Sequence, residues 1–396
     1  MRFAGIVAEY DPFHSGHAWQ LAEARRRGAQ YIAVALSSAA VQRGSLPLLP
    51  EACRVRAALE AGADLVLENP APCACAGAEA FAAAGVHLLA AAGCDTLVFG
   101  TETADAQACL DAARILLSPA WRAALRARLD GGARSFAAAR AAAFADAGGG
   151  SAALLQNPND NLGVEYCKAI LTQGMPLTPL ALPRQGAPHG GGETCGGYAS
   201  ASRLRALWAQ DGAAALAPFV PAGAAALYAE AERAGAALDA RAFDRALLSR
   251  LRLLAQSPAQ AAPFASVRGV SEGLEHALEN AAAQACTAAQ LYDLLTGARY
   301  PRARMRRLAL DAALAYTSAL PALPPYLHVL GGSRGALPLL EHASLPASPS
   351  LARLAQRSPA CAAMAAAQAR AADFAALCRV TPQPCGSAWT QPPVLR

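Results

Sequence analysis

Phe3-Ala-Gly-Ile-Val-Ala-Glu-Tyr-Asp-Pro-Phe-His14-Ser-Gly-His17 is the stretch from which the rest of the chain can be read. Phe3 to Ala8 is an apolar run of strand length. Asp11-Pro12 breaks it, because proline cannot continue a strand ladder and restricts the residue before it. From His17 the sequence Ala-Trp-Gln-Leu-Ala-Glu-Ala-Arg-Arg-Arg is helix-forming up to Gly28. The spacing therefore predicts a strand, a tight turn and a helix, with two imidazoles beside the helix N-terminus.

That position has a chemical meaning. The first turn of a helix carries unpaired N–H donors and the positive end of the dipole, so it attracts phosphate. Gly16 removes a side chain where the backbone would approach a ligand, and His14 and His17 can donate hydrogen bonds to phosphoryl oxygens. The competing reading is two surface-loop histidines without a partner. The spacing H-x-G-H directly after a first strand resembles the signature of the HIGH-motif nucleotidyltransferase superfamily, whose members attack the α-phosphate of ATP and release pyrophosphate.

Composition narrows the chemistry. The 396 residues suffice for two or three domains. Lys168 is the only lysine, so there is no Gly-x-x-x-x-Gly-Lys phosphate loop, and phosphate charge must be met by Arg, His and backbone amides. The net charge of +5 is almost entirely arginine on its positive side, which permits a nucleic-acid partner. The 11 cysteines include no C-x-x-C pair and no secretory signal precedes the first strand, so reduced thiols and a cytoplasmic location are expected, with no metal site. Phe81 to Gly93 is too short to span a membrane and reads as a buried helix.

Further strands are expected at Tyr31–Leu36, Asp64–Glu68, Thr96–Gly100 and Leu177–Leu182, alternating with helices from Pro50 and Ala78. This is the α/β pattern of a Rossmann-like, doubly wound parallel sheet, whose ligands sit beyond the carboxyl ends of the strands. Glu9-Tyr10, Ser37, Glu68 and Gly100 fall at those ends. Ala104 to Ala147 reads as helix interrupted near Ser118-Pro119 and Gly131-Gly132. Asn159 or Asn161 is either a helix cap or a ligand contact. Gly190 to Gly197 reads as a loop, and Ser200-Ala-Ser202-Arg-Leu-Arg205 opens another phosphate-competent helix. Beyond Trp208 no convincing strand remains, so a catalytic domain over 1–210 and an all-α C-terminal domain over 211–396, with a partly disordered tail, are expected. Arg299-Tyr300-Pro-Arg302-Ala-Arg304-Met-Arg306-Arg307 packs five arginines into nine residues; it is either an RNA-binding patch or a solvated helix face.

Taken together, Glu9 to His17, Val41-Gln-Arg-Gly44, Phe99-Gly100, Pro158-Asn159, Ser200 to Arg205, Ser271-Glu-Gly-Leu-Glu275 and Arg299 to Arg304 resemble the bacterial tRNA(Met) cytidine acetate ligase family. The resemblance implies a ligase that makes acetyladenylate from ATP and acetate, with Mg²⁺, and acetylates N4 of the wobble cytidine of elongator tRNA(Met). It implies ATP contacts at Val7, Ala8, Glu9, Tyr10, Asp11, Pro12, Phe13, His14, Ser15, Gly16, His17, Ala18, Trp19 and Gln20, and at Gly100, Asn159, Arg184 and Gln185. His14 and His17 would be catalytic; Arg43, Ser202 and Arg205 are further phosphate candidates. Arg299, Tyr300, Arg302, Arg304, Arg306 and Arg307 would hold the tRNA. The chain departs from the family pattern at Asp11 and Asp160, where Asn is usual, and at Ser38-Ala39-Ala40, which replaces a Gly-x-Phe run. Two alternatives are a small-molecule adenylyltransferase or acid-activating ligase without RNA, and a non-catalytic RNA-binding homologue.

Overall fold

The apolar runs pair as parallel strands, and alternate residues of each strand feed two different cores. In this computed structural model, residues 2–132, 136–150, 153–185, 197–256, 264–271, 273–297 and 300–396 are described. The chain runs β1 (Phe3–Ala8), α1 (Ser15–Arg26), β2 (Tyr31–Ser37), α2 (Glu51–Glu60), β3 (Leu65–Asn69), α3 (Ala71–Ala74), α4 (Ala78–Ala91) and β4 (Thr96–Thr101). Then come α5 (Ala106–Leu117), α6 (Pro119–Asp130), α7 (Phe136–Asp146), α8 (Ala153–Gln156), α9 (Pro158–Gln173) and β5 (Thr178–Pro183). The helical part follows as α10 (Ala201–Asp211), α11 (Ala222–Arg233), α12 (Ala240–Ala255), α13 (Leu274–Gln284), α14 (Ala288–Leu295) and α15 (Arg302–Ala313). It ends with β6 (Leu327–Gly332), β7 (Ala347–Ser348), α16 (Leu351–Ala355), α17 (Pro359–Leu377), α18 (Ser387–Thr390) and β8 (Val394–Leu395).

The sheet order is β5-β4-β1-β2-β3-β6-β7, with β1 to β5 mutually parallel. The chain moves outward from β1 through β2 to β3, then returns to place β4 on the other side of β1. That reversal leaves a crevice at the carboxyl ends of β1 and β4, where this class of sheet binds ligands. Phe3, Ala33, Leu65, Leu97 and Phe99 pack with α4, α5 and α9 on one face, while Ala4, Ile6, Ile32, Val34 and Val98 pack with α1, α2 and α11 on the other. Phe81 to Ala91 is a largely buried helix, as its hydropathy and length suggest.

From Ala201 to Ala313 the regular structure is helical, with its own core formed by α12 to α15 and α17. Three strands absent from the sequence-based expectation, β6, β7 and β8, lie beyond it among the described residues. β6 runs antiparallel to β3, pairing Leu65 with Gly332 and Leu67 with Val329, and extends the sheet at its edge. Its six residues carry two terminal glycines and follow a proline-rich stretch, which hides the usual strand signature. The segment read as a tail forms α17 and ends in β8, which pairs with β6. The Gly-rich residues 190–196, Glu272 and Arg299 lie outside the described residues.

Arg54 on α2 fixes the crevice. It is fully buried, and its guanidinium donates to the carbonyls of Glu9 at 2.9 Å, Ser37 at 2.5 Å and Leu49 at 3.2 Å, and to that of Ser38. One side chain thus joins the exits of β1 and β2 to the loop before α2. Replacing it by leucine leaves several buried carbonyls without donors, each costing roughly 1–3 kcal/mol. Arg54→Leu is therefore expected to lower the unfolding free energy by about 3 kcal/mol or more; denaturant titration showing a loss under about 1 kcal/mol would contradict the clamp.

Candidate nucleotide site

The turn after β1 is made by Tyr10, which adopts a left-handed φ of 47°, and by a cis Asp11–Pro12 bond. Pro12 and Phe13 then turn into the core, and the carbonyl of Phe13 accepts from the Tyr228 hydroxyl at 2.6 Å. Ser15 donates its hydroxyl to the Phe219 carbonyl at 2.8 Å. Two residues of the helical part thereby hold the loop that presents the imidazoles.

His14 caps α1. Its Nδ1 accepts the Gly16 N–H at 3.1 Å, and Nδ1 of His17 accepts the His14 N–H at 3.3 Å, so each ring satisfies one end of a reciprocal cap. The rings stack with centroids 3.7 Å apart. The cap leaves no room for a side chain at Gly16: a Cβ there would lie 2.9 Å from His14 Cε1. With Nδ1 accepting in both rings, the neutral tautomer carries its proton on Nε2, leaving an Nε2–H donor on each imidazole. Burial, reinforced by Arg184 and Arg205, pushes His14 down to about 3, and burial with the neighbouring His14 holds His17 well below its ordinary value. Both rings are neutral at physiological pH.

These rings line a cleft of about 540 Å³. Val7, Ala8, Glu9, Tyr10, Asp11 and Gly16 reach it from β1 and the turn, and Trp19 and Gln20 from α1. Gly100, Asn159, Arg184 and Gln185 close the opposite side, with Arg43, Ser202 and Arg205 between. Of the residues expected from the resemblance, Pro12, Phe13, Ser15 and Ala18 support the turn and do not line the cleft. The N-termini of α1, α9 and α10 all reach this space, an arrangement suited to an anion.

The helix cap before α9 is at Asn157, so Asn159 is not the cap; its Nδ2 donates to Glu102 Oε1 at 2.6 Å. Asn161 is not the cap either, since its Oδ1 accepts from Arg140 at 2.7 Å. Glu102 also accepts the Asp160 N–H at 2.8 Å and faces Arg184 at 3.5 Å. Burial opposes its charge, but these hydrogen bonds outweigh it and keep its pKa low. Glu102 was not singled out in the sequence; its position directly after a strand end was the only signal. Gln42, Phe99 and Tyr166 also line the cleft without having been assigned to it.

The two extra carboxylates are both satisfied. Asp11 pairs with Arg43, lies 3.7 Å from Arg205, and accepts the Leu48 N–H at 2.6 Å. Burial works against its charge, yet the two guanidiniums hold its pKa below the usual value. Asp160 accepts from the Thr103 amide at 3.0 Å, the Thr103 hydroxyl at 2.9 Å and Asn157 at 2.8 Å, all donors that a carboxylate suits. Ser38, in the departing Ser38-Ala39-Ala40 run, receives a hydrogen bond from Gln368 of α17. Ser202 Oγ lies 3.3 Å from Ser200 Oγ, which caps α10. Burial lowers Arg205 to about 10. Lys168 is paired with Glu165 at 2.7 Å and with Glu79, and does not line the cleft.

The arginine-rich segment is more engaged than a solvated face. Arg302 is exposed, pairs with Asp293 and lies over the Tyr292 ring at 5.8 Å. Arg304 stacks over Tyr300 at 4.8 Å and Arg306 over Tyr292 at 5.7 Å. Arg307 lines the cleft and donates to the Gln42 carbonyl at 3.2 Å. The basic segment thus adjoins the crevice.

Two neutral rings make a spectroscopic prediction. The ¹⁵N shifts of His14 and His17 should keep the neutral, Nε2-protonated pattern from about pH 8 to pH 5; a midpoint near the ordinary histidine value would contradict the cap. The sign for stability follows. The unfolded imidazoles take up protons near 6.5 while the folded rings do not, so these two groups favour unfolding as pH falls below that value.

A family model described as HIGH Nucleotidyl Transferase matches residues 1–385. A relative named tRNA(Met) cytidine acetate ligase from Levilactobacillus brevis is 34% identical over 360 residues, 87% of this chain and 88% of the relative. One of the same name from Syntrophotalea carbinolica is 35% identical over 343 residues, 84% of this chain and 80% of the relative. The crystal structure of Thermotoga maritima TmcAL bound with alpha-thio ATP matches with a TM-score of 0.89 at 25% identity, covering 100% of this chain and 99% of that one. The chain belongs to the HIGH nucleotidyl transferase family and, within it, to the tRNA(Met) cytidine acetate ligases.

Proposed function

We propose that this protein activates acetate with ATP and transfers the acetyl group to N4 of the wobble cytidine of elongator tRNA(Met). The observation that carries the reading is the pair of neutral imidazoles held at the start of α1 with their Nε2–H groups free of the cap. An acetate oxygen attacks the α-phosphorus and the bond to pyrophosphate breaks. The charge that develops on the departing phosphates is met by the His14 and His17 donors and the positive end of the α1 dipole, with Arg184 and Arg205 nearby. In the second step the cytidine amine attacks the acyl carbon, loses a proton, and AMP leaves.

In this reading ATP occupies the cleft lined by Val7 to Asp11, Gly100, Asn159, Arg184 and Gln185. No group of three His, Cys, Asp or Glu residues able to hold a metal occurs among the described residues. Mg²⁺ therefore fits as an ion carried largely on the nucleotide's own phosphates rather than in a protein cage. We assign nucleotide chemistry to residues 1–210 and tRNA binding to the helical part after 211, with Tyr300, Arg302, Arg304, Arg306 and Arg307 as its cationic face and Arg299 adjoining them in sequence. No helix among the described residues is long and apolar enough to cross a membrane. A tRNA substrate supports a cytoplasmic reaction.

Acetate-dependent exchange of pyrophosphate into ATP tests the first half, and nucleoside analysis of tRNA(Met) for N4-acetylcytidine tests the second. His14→Ala and His17→Ala should each slow exchange by about two to three orders of magnitude, as loss of an oxyanion-type donor does. Exchange within about threefold of wild type in both variants would overturn the role given to the imidazoles.

A further inference from the structure

The transfer step needs a place for the base beside the adenylate, and three polar side chains at the edge of the nucleotide cleft meet where it would lie. We propose that Glu9, Gln42 and Arg307 form the subsite that reads the target cytosine, Glu9 accepting from its exocyclic amine and Gln42 and Arg307 donating to its N3 and O2. The proposal rests on the tRNA-acetylating reading above and adds the specificity determinants that this reading lacks.

All three line the same cleft as His14 and His17. Glu9 Oε1 accepts the Gln42 N–H at 2.5 Å, and the Gln42 carbonyl accepts Arg307 Nη1 at 3.2 Å, so the Glu9 and Arg307 side chains are joined through the backbone of Gln42. Among the described residues, Glu9 Oε2 accepts no hydrogen bond, and the Gln42 side-chain Nε2 is buried with no partner. A buried amide left without an acceptor is costly, and such a group is what a recognition site holds before its ligand arrives. The contact with α15 is built for close approach. Gly44 has a φ of +77°, and a Cβ there would lie 2.5 Å from the Arg307 nitrogen, so only glycine lets this turn press against the helix that carries Arg307.

The pattern matches cytosine by polarity. Its pairing edge presents a donor at N4 and acceptors at N3 and O2, and a carboxylate accepting from N4 is a standard reading of this base. Uracil reverses the first two positions, placing O4 against the carboxylate and an N3–H against the donors. Arg307 also links the subsite to the basic segment, so an unstacked base can enter from the side where the RNA backbone would be held.

The test uses the full chain with a non-reactive ATP analogue and two tRNA(Met) transcripts carrying C or U at the wobble position. Wild type should bind the C transcript about tenfold or more tighter than the U transcript. Glu9→Gln and Gln42→Ala should each bring that ratio to within about twofold, whereas Arg302→Ala should weaken both transcripts by the same factor and leave the ratio in place. Gln42→Ala keeps the Glu9 carboxylate and its backbone donor, so it stands if Glu9→Gln fails to fold. Equal binding of both transcripts by wild type, or a wild-type ratio in Gln42→Ala, would overturn the proposal. If wild type shows no acetate-dependent exchange, the functional reading falls and this inference with it; exchange with an unmoved ratio sinks the inference alone.

Discussion

A guanidinium buried among carbonyl oxygens holds this structure's working end together. Arg54 is hydrogen-bonded to Glu9, Ser37, Ser38 and Leu49 through their main chains, and among the described residues no carboxylate completes a direct pair with it. Isolating a charge in this way is unfavourable by itself, and burial does lower its pKa, with Asp11, Glu51 and Glu9 supplying a compensating field. The return is geometric. The ends of two parallel strands, which would otherwise fray into loops with unpaired carbonyls, are fixed relative to each other and to α2. The turn that carries Asp11 to His17 starts from one of those fixed ends.

From there the charges alternate outward. Asp11 is held by Arg43 and approached by Arg205, and Glu102 is held by Asn159 and the Asp160 amide and faces Arg184. The arginines nearest the imidazoles are therefore oriented by carboxylates before any nucleotide arrives, which is the preorganisation that electrostatic catalysis requires. The histidines contribute differently. Being neutral, they add directed N–H donors without adding charge, and the positive potential comes from Arg184, Arg205 and the helix N-termini.

Much of this was legible in the sequence because the relevant signals are local. The run Phe3 to His17 encodes its own strand, break and helix start, and the strand ends near Glu9 and Gly100 follow from short apolar runs ended by more polar residues. What stayed hidden depends on contacts distant in sequence. β6 is a strand because β3 offers it an edge, not because Leu327-His-Val-Leu-Gly-Gly announces one. Arg54 looked like an ordinary helix residue, Glu102 carried no motif, Gln42 lay in the Val41 to Gly44 motif without a role attached to it, and the place of Asn159 inside α9 rather than at its cap goes with its bond to Glu102 across the crevice. Asp11, which stands where Asn is usual in the family, is accommodated by arginines 32 and 194 residues away.

The role of the two capped rings depends on where the phosphates sit relative to them, and a crystal structure with a non-hydrolysable ATP analogue measures that directly. Phosphoryl oxygens of the bound nucleotide should lie about 3 Å from Nε2 of His14 and of His17, with both Nδ1 atoms still accepting their backbone N–H groups. Phosphates bound elsewhere in the cleft, or rings flipped so that Nε2 no longer faces them, would contradict it.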